Sequence, residues 1–173
     1  MRLPTPIAAL TWRADTASVA PRWLLPAAAV LEVVRCPGPE PVPLPLDTDP
    51  ALVRALLGTL GWRGRPLPLL GLAVEGGGGD DEARTGIDAE PAPRLRAVIC
   101  PALNDDATPA FGLAALGMPG LLMLREGELG PDAEAADLPP FCAAALRLDD
   151  VRYLVPDLDA LGAALAPVAA LMA

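Results

Sequence analysis

WLLPAAAVLEVVR, residues Trp23 to Arg35, is the first strong apolar run in the chain. From Val30 onward it alternates as a pleat does, with Val30, Glu32 and Val34 on one face and Leu31 and Val33 on the other. Pro26 has no N–H to give a ladder, so it requires a bend or an edge near the start of the run. The rest of the chain has the same grain. Its 22 prolines and 16 glycines are spread from end to end and cut the apolar residues into short runs. Such punctuation favours strands over long helices.

Downstream, a proline-rich connection from Cys36 to Leu46 leads to Asp49–Leu57. There Asp49 is placed to cap a short helix and Pro50 to occupy its first position. Leu52, Val53, Leu56 and Leu57 share a stripe at helical spacing. Gly58–Leu72 (GTLGWRGRPLPLLGL) reads as a turn and then a strand. Pro66 and Pro68 have the same parity, which leaves that strand one pairing edge. Residues 75–93 (EGGGGDDEARTGIDAEPAP) have clustered acids and no apolar period, the composition of a mobile loop. The four glycines are followed by no Lys, Ser or Thr, so they do not make a phosphate loop.

Three further strands are expected at Leu95–Cys100, Phe111–Leu124 and Phe141–Leu148, then a turn at Asp149 and Asp150 into Val151–Val155. Asp157–Ala166 has Leu158, Leu161 and Leu165 on one stripe and reads as a C-terminal helix that Pro167 should end or kink. These elements predict a mainly β chain forming one domain over residues 8–170. Its first lobe would cover residues 8–74 and its second 94–156, on either side of the acidic loop, with the helix at 157–166.

At 173 residues the chain is long enough to build a core without metals or disulfides. The apolar fraction is 53% but aromatic residues are 3%, so Leu, Val and Ala must fill that core and flat, ring-lined pockets are not expected. All 13 basic residues are arginines, and the formal charge is -9. Such a chain repels polyanions at long range, which argues against nucleic acid and anionic membranes as partners. With no His, it lacks the commonest general base and metal ligand. Ser18 is the one serine, and nothing is placed to activate it. Cys36, Cys100 and Cys142 lack CxxC spacing and read as inert thiols of a reducing compartment. The acid pairs Asp80–Asp81, Asp105–Asp106 and Asp149–Asp150 fall in predicted loops and turns, where solvated carboxylates are ordinary. No catalytic centre, cofactor site or metal site is expected. Residues Met1–Leu10 lack the apolar run of a signal peptide, and Ala107–Leu124 is too interrupted by Pro and Gly to span a membrane as a helix, so the cytoplasm is the expected location.

From Trp23 onward the sequence resembles the CheW family, the adaptor proteins that couple bacterial chemoreceptors to the histidine kinase CheA. The resemblance runs from about Ala8 to Leu165. It rests on VLEVV (Val30–Val34), on the glycine, R-G and proline pattern from Gly58 through Arg63 and Gly64 to Pro68, on Phe111–Gly117, and on YLVPDLDAL (Tyr153–Leu161). It implies two SH3-like five-stranded barrels and a scaffold without cofactors. The implied partners are the cytoplasmic tip of a methyl-accepting chemoreceptor and the regulatory domain of a CheA-type kinase. Glu32 and Arg63 match a glutamate and an arginine that the resemblance implies are paired across neighbouring strands beside the receptor-binding surface. Gly58 and Val30 match positions that it places near receptor and kinase contacts. For Val30, packing in the core is an equal alternative. The sequence departs from the pattern at Gly61, Trp62, Gly71 and Leu116. The family analogy points to a system controlling type IV pili and twitching motility rather than flagella. An alternative is an assembly or decoy module that binds one of the two partners.

Overall fold

Pro26 does break the Trp23–Arg35 run, and the break carries the chain from one sheet into another. The computed structural model describes residues 5–14, 21–72, 94–102, 110–133 and 137–172. The expected mobile loop at 75–93 and the acid pairs Asp80–Asp81 and Asp105–Asp106 lie outside the described residues. Strands β1 (Ile7–Trp12) and β2 (Arg22–Pro26) precede a single 3-10 turn at Ala27–Ala29. Then come β3 (Glu32–Arg35), helix α1 (Pro50–Ala55), β4 (Leu56–Trp62), β5 (Arg65–Leu70), β6 (Leu95–Pro101) and β7 (Ala110–Leu116). The chain closes with β8 (Gly120–Leu124), β9 (Gly130–Pro131), β10 (Cys142–Leu148), β11 (Val151–Pro156) and helix α2 (Leu158–Met172).

The protein is mainly β, as expected, but its two sheets do not follow the division at the acidic loop. One has six strands in the order β8-β1-β2-β11-β10-β9, and the other has five in the order β3-β6-β7-β5-β4. The lobe boundaries 8–74 and 94–156 are therefore corrected: each sheet draws on both halves of the chain. Parallel pairings do the joining, Tyr153 and Leu154 with Arg22 and Trp23 in the first sheet, Leu69 and Leu70 with Gly112 and Leu113 in the second. The single strand expected over Phe111–Leu124 is two strands in different sheets. Gly117, at a φ of 78° that suits glycine, and Pro119 make the switch between them.

Strand β5 pairs with β4 along its whole length and reaches β7 only at Leu69 and Leu70, beyond both prolines. The five-stranded sheet closes on itself where the chain leaving β3 meets β4. There the Glu40 N–H donates to the Thr59 carbonyl and the Thr59 N–H to the Glu40 carbonyl, both at 2.8 Å. In the six-stranded sheet, residues 125–129 link the edge strands β8 and β9.

Alternation along the strands separates three cores. On β7, Phe111, Leu113 and Ala115 face the layer between the sheets, while Ala110 and Ala114 face the interior of the second barrel. Gly112 sits on that inner face, where an added Cβ would press on Leu69 and Leu60 at 3.0 and 3.1 Å. The inter-sheet layer is the largest core and takes Trp12, Trp23, Leu25, Leu70, Val98, Cys100 and Leu154. Trp23 is buried there, and its indole N–H donates to the Leu72 carbonyl at 2.9 Å. The interior of the first barrel has the smallest cluster, Ala9, Leu24, Leu124 and Tyr153. Because strands of the second sheet are buried on both faces, they read as continuous apolar runs rather than as alternation.

Asp49 caps α1 by accepting from the Ala51 N–H at 2.7 Å, with Pro50 at the first turn. Only Leu52 and Ala55 of that helix are buried. Leu56 and Leu57, expected on the helical stripe, instead begin β4. The Asp157 carboxylate accepts from the Ala160 N–H at 2.8 Å at the start of α2. Contrary to expectation, α2 runs through Pro167 to Met172. The carbonyl that loses its donor belongs to Ala163, which like Pro167 is solvent-exposed, and Leu161, Leu165 and Val168 anchor the helix in the core on either side.

Candidate functional site

The β4–β5 hairpin turns through two residues with positive φ, Arg63 at 50° and Gly64 at 76°, between the paired Trp62 and Arg65. Two left-handed residues match the twist of a tight hairpin; glycine takes that conformation freely, and the arginine is held in it. Trp62 and Arg63 are thereby presented at the hairpin tip.

Glu32 reaches this tip from β3. One carboxylate oxygen, Oε2, accepts from the Trp62 indole N–H at 2.9 Å and from Arg63 at 3.3 Å. The Arg63 guanidinium lies over the Trp62 ring, 4.5 Å from its centroid. Three side chains thus close a triangle of ion pair, hydrogen bond and cation–π contact. The Arg63 and Glu32 side chains are 68% and 42% exposed, so the ion pair itself contributes ~0 to 1 kcal/mol. Its value is orientation: a long arginine is held against a ring at the surface.

The resemblance implied a pair across neighbouring strands, but Glu32 is on β3 and Arg63 in the turn that follows β4, and β3 and β4 are not paired with each other. Strands β3 and β4 are the two edges of the five-stranded sheet, so the pair spans the seam where the barrel closes. Gly58 lies on that seam. It is buried at φ 138°, and a Cβ there would collide with the Glu40 carbonyl oxygen and meet Pro39 Cβ at 3.1 Å. Gly64 stands in open space at the turn. Val30 is half-buried and packs on the inter-sheet core, whereas its neighbour Leu31 is 52% exposed. The structure therefore brings Glu32, Arg63 and Gly64 together and sets Gly58 behind them. Val30 belongs to packing for most of its surface.

Two features were not read from the sequence. Trp62 looked like a departure from a family pattern, yet it joins Glu32 and Arg63 directly; its place beside the R-G turn was the available signal. The second is Asp132, whose side chain is 1% exposed on the far sheet. Arg152 Nε approaches it at 2.7 Å, as an ion pair without hydrogen-bond alignment, and Arg147 approaches at 3.6 Å. Asp149 and Asp150 form the exposed β10–β11 turn.

Cys36 and Cys100 are buried and Cys142 half-buried. Burial pushes the Cys100 thiol up to about 12. Burial also raises Cys36 and Cys142, partly offset by backbone hydrogen bonds. Among the described residues no helix is long and apolar enough to cross a membrane.

No family model matches this sequence. No curated protein matches it either. Among solved structures the chain is similar to the scaffolding protein TtCheW from Thermoanaerobacter tengcongensis, at 18% identity and a TM-score of 0.57, covering 88% of this chain and 85% of that one. The likeness extends across both barrels and establishes the fold as CheW-like.

Proposed function

We propose that this chain is a non-enzymatic adaptor of a chemosensory array. It holds the cytoplasmic hairpin tip of a chemoreceptor and the regulatory domain of a CheA-type histidine kinase in one assembly, in a system that controls twitching motility. The observation that carries the reading is the Glu32–Trp62–Arg63 triangle. It is an exposed and oriented polar patch, fixed to the closing seam of a barrel whose fold is shared with a scaffolding protein.

The mechanism is geometric. Once one partner is bound, contact with the second becomes effectively intramolecular, and a shift in the receptor hairpin can bias the kinase. One departure from the family pattern, Gly71, has a local packing cause and does not argue for a lost partner. An added Cβ at Gly71 would press on the Leu57 side chain at 3.2 Å.

The test is a pull-down of the full chain against the kinase regulatory domain and against a receptor hairpin fragment, with Arg63→Ala, Glu32→Gln and Trp62→Phe in parallel. Binding to both partners, with the receptor contact weakened by all three substitutions, is expected. Capture of one partner alone would replace the adaptor with a single-partner assembly or decoy module. Capture of neither would end the reading.

A further inference from the structure

Among the described residues, the interior of the first barrel is incompletely filled at one end. Its inward position on β1 is Ala9, and below the 125–129 link the interior opens into a cavity of about 430 Å3. Leu24 and Leu124 join Ala9 in forming a buried floor, and Leu146 and Val155 form the wall. Ile7 stands at the mouth, 62% exposed. Small barrels usually fill their interiors with side chains, whereas this end of the barrel is a half-open pocket. It falls in the range of about 300 to 1,000 Å3 typical of small-molecule sites.

We infer that this cavity binds an aliphatic chain carrying an uncharged hydrogen-bonding head group. Floor and wall are entirely aliphatic, so the inserted part must be apolar and needs no ring-stacking partner. A cavity of about 150 Å3 is matched by one benzene, so a single Phe or Leu side chain from a protein partner would leave most of this space empty. The exposed rim holds Thr5, Arg125 and Glu126, a hydroxyl beside one cation and one anion. That rim offers donors and acceptors at zero net charge, on a chain whose formal charge of -9 disfavours an anionic head. Ile7 would be covered by the bound chain, removing its exposed surface from water.

This inference does not rest on the adaptor reading, because the cavity lies in the other sheet from the Glu32–Trp62–Arg63 triangle. The test is a titration of the full chain with 1-decanol, followed by NMR of the methyl groups. Decanoate and decyltrimethylammonium supply the same chain with charged heads. Saturable shifts confined to the methyls of Ile7, Leu24, Leu124, Leu146 and Val155 are expected. Affinity should fall at least about tenfold in the cavity-filling variants Ala9→Leu and Val155→Phe and stay unchanged in Arg63→Ala. Two such variants guard against one failing to fold, which thermal melting reports. No saturable shift at those methyls, or equal binding in whichever filled variant folds, would overturn the site. Tighter binding of either charged amphiphile would overturn the head-group assignment.

Discussion

Replacing Gly58 by alanine tests how the second barrel is closed. The native φ of 138° lies where L side chains rarely sit, and holding alanine there costs about 1 to 3 kcal/mol. The added methyl also collides with the Glu40 carbonyl, the acceptor in one of the two 2.8 Å hydrogen bonds that join Glu40 and Thr59. Losing both adds about 1 kcal/mol each, for a total of about 3 to 5 kcal/mol. Against a usual stability of about 5 to 15 kcal/mol, that is a large share. Gly61, three residues along the same strand, is the control: its φ is ordinary and nothing lies within 4 Å of an added Cβ. Urea unfolding of wild type, Gly58→Ala and Gly61→Ala measures both. Gly58→Ala should lose several kcal/mol and Gly61→Ala should stay within about 0.5 kcal/mol of wild type. Equal effects at the two positions would refute the seam.

Asp132→Ala leaves Arg147 and Arg152 facing a site that lacks its carboxylate. Breaking a buried pair costs about 3 to 5 kcal/mol, but both arginines keep over a third of their surface in water, so about 1 to 3 kcal/mol is expected from denaturant titration. Cys100 makes stability fall with alkaline pH. Its folded pKa of about 12 exceeds the ordinary 9.0, so its contribution is complete below pH 9 and declines toward pH 12 as the unfolded thiol ionises. Unfolding free energies measured from pH 8 to 11 should show that slope in wild type and a shallower one in Cys100→Ala. Pro167→Ala restores an N–H opposite the exposed Ala163 carbonyl, and melting should show a gain of roughly 1 to 3 kcal/mol.

Local signals carried much of the secondary structure. The break at Pro26, the Asp49–Pro50 helix start and the Asp149–Asp150 turn each depend on residues within a few positions of one another. Ambiguity entered where one run satisfies two periods: Leu56 and Leu57 complete a helical stripe with Leu52 and Val53, yet they start β4. The short β1 strand, IAALTW, is apolar at every position but Thr11 and so shows no alternation, and it was missed. The interleaving of the two sheets was beyond local reading, because the pairings of Trp23 with Leu154 and Leu69 with Gly112 join segments far apart in the chain. Within the candidate site, Glu32 and Arg63 were legible through the family pattern. Trp62 was not, since a pattern that expects an apolar residue registers an indole as a deviation and not as a donor. The grip of Arg147 and Arg152 on Asp132 depends on β9 lying beside β10, which no spacing of charges announces.

The adaptor reading requires that both partners be held at once, so the decisive measurement is sedimentation velocity of the full chain mixed with the kinase regulatory domain and the receptor hairpin fragment. A boundary containing all three components that sediments faster than either binary complex is expected, as is its loss with Arg63→Ala. Two binary boundaries that compete for the same chain would contradict it.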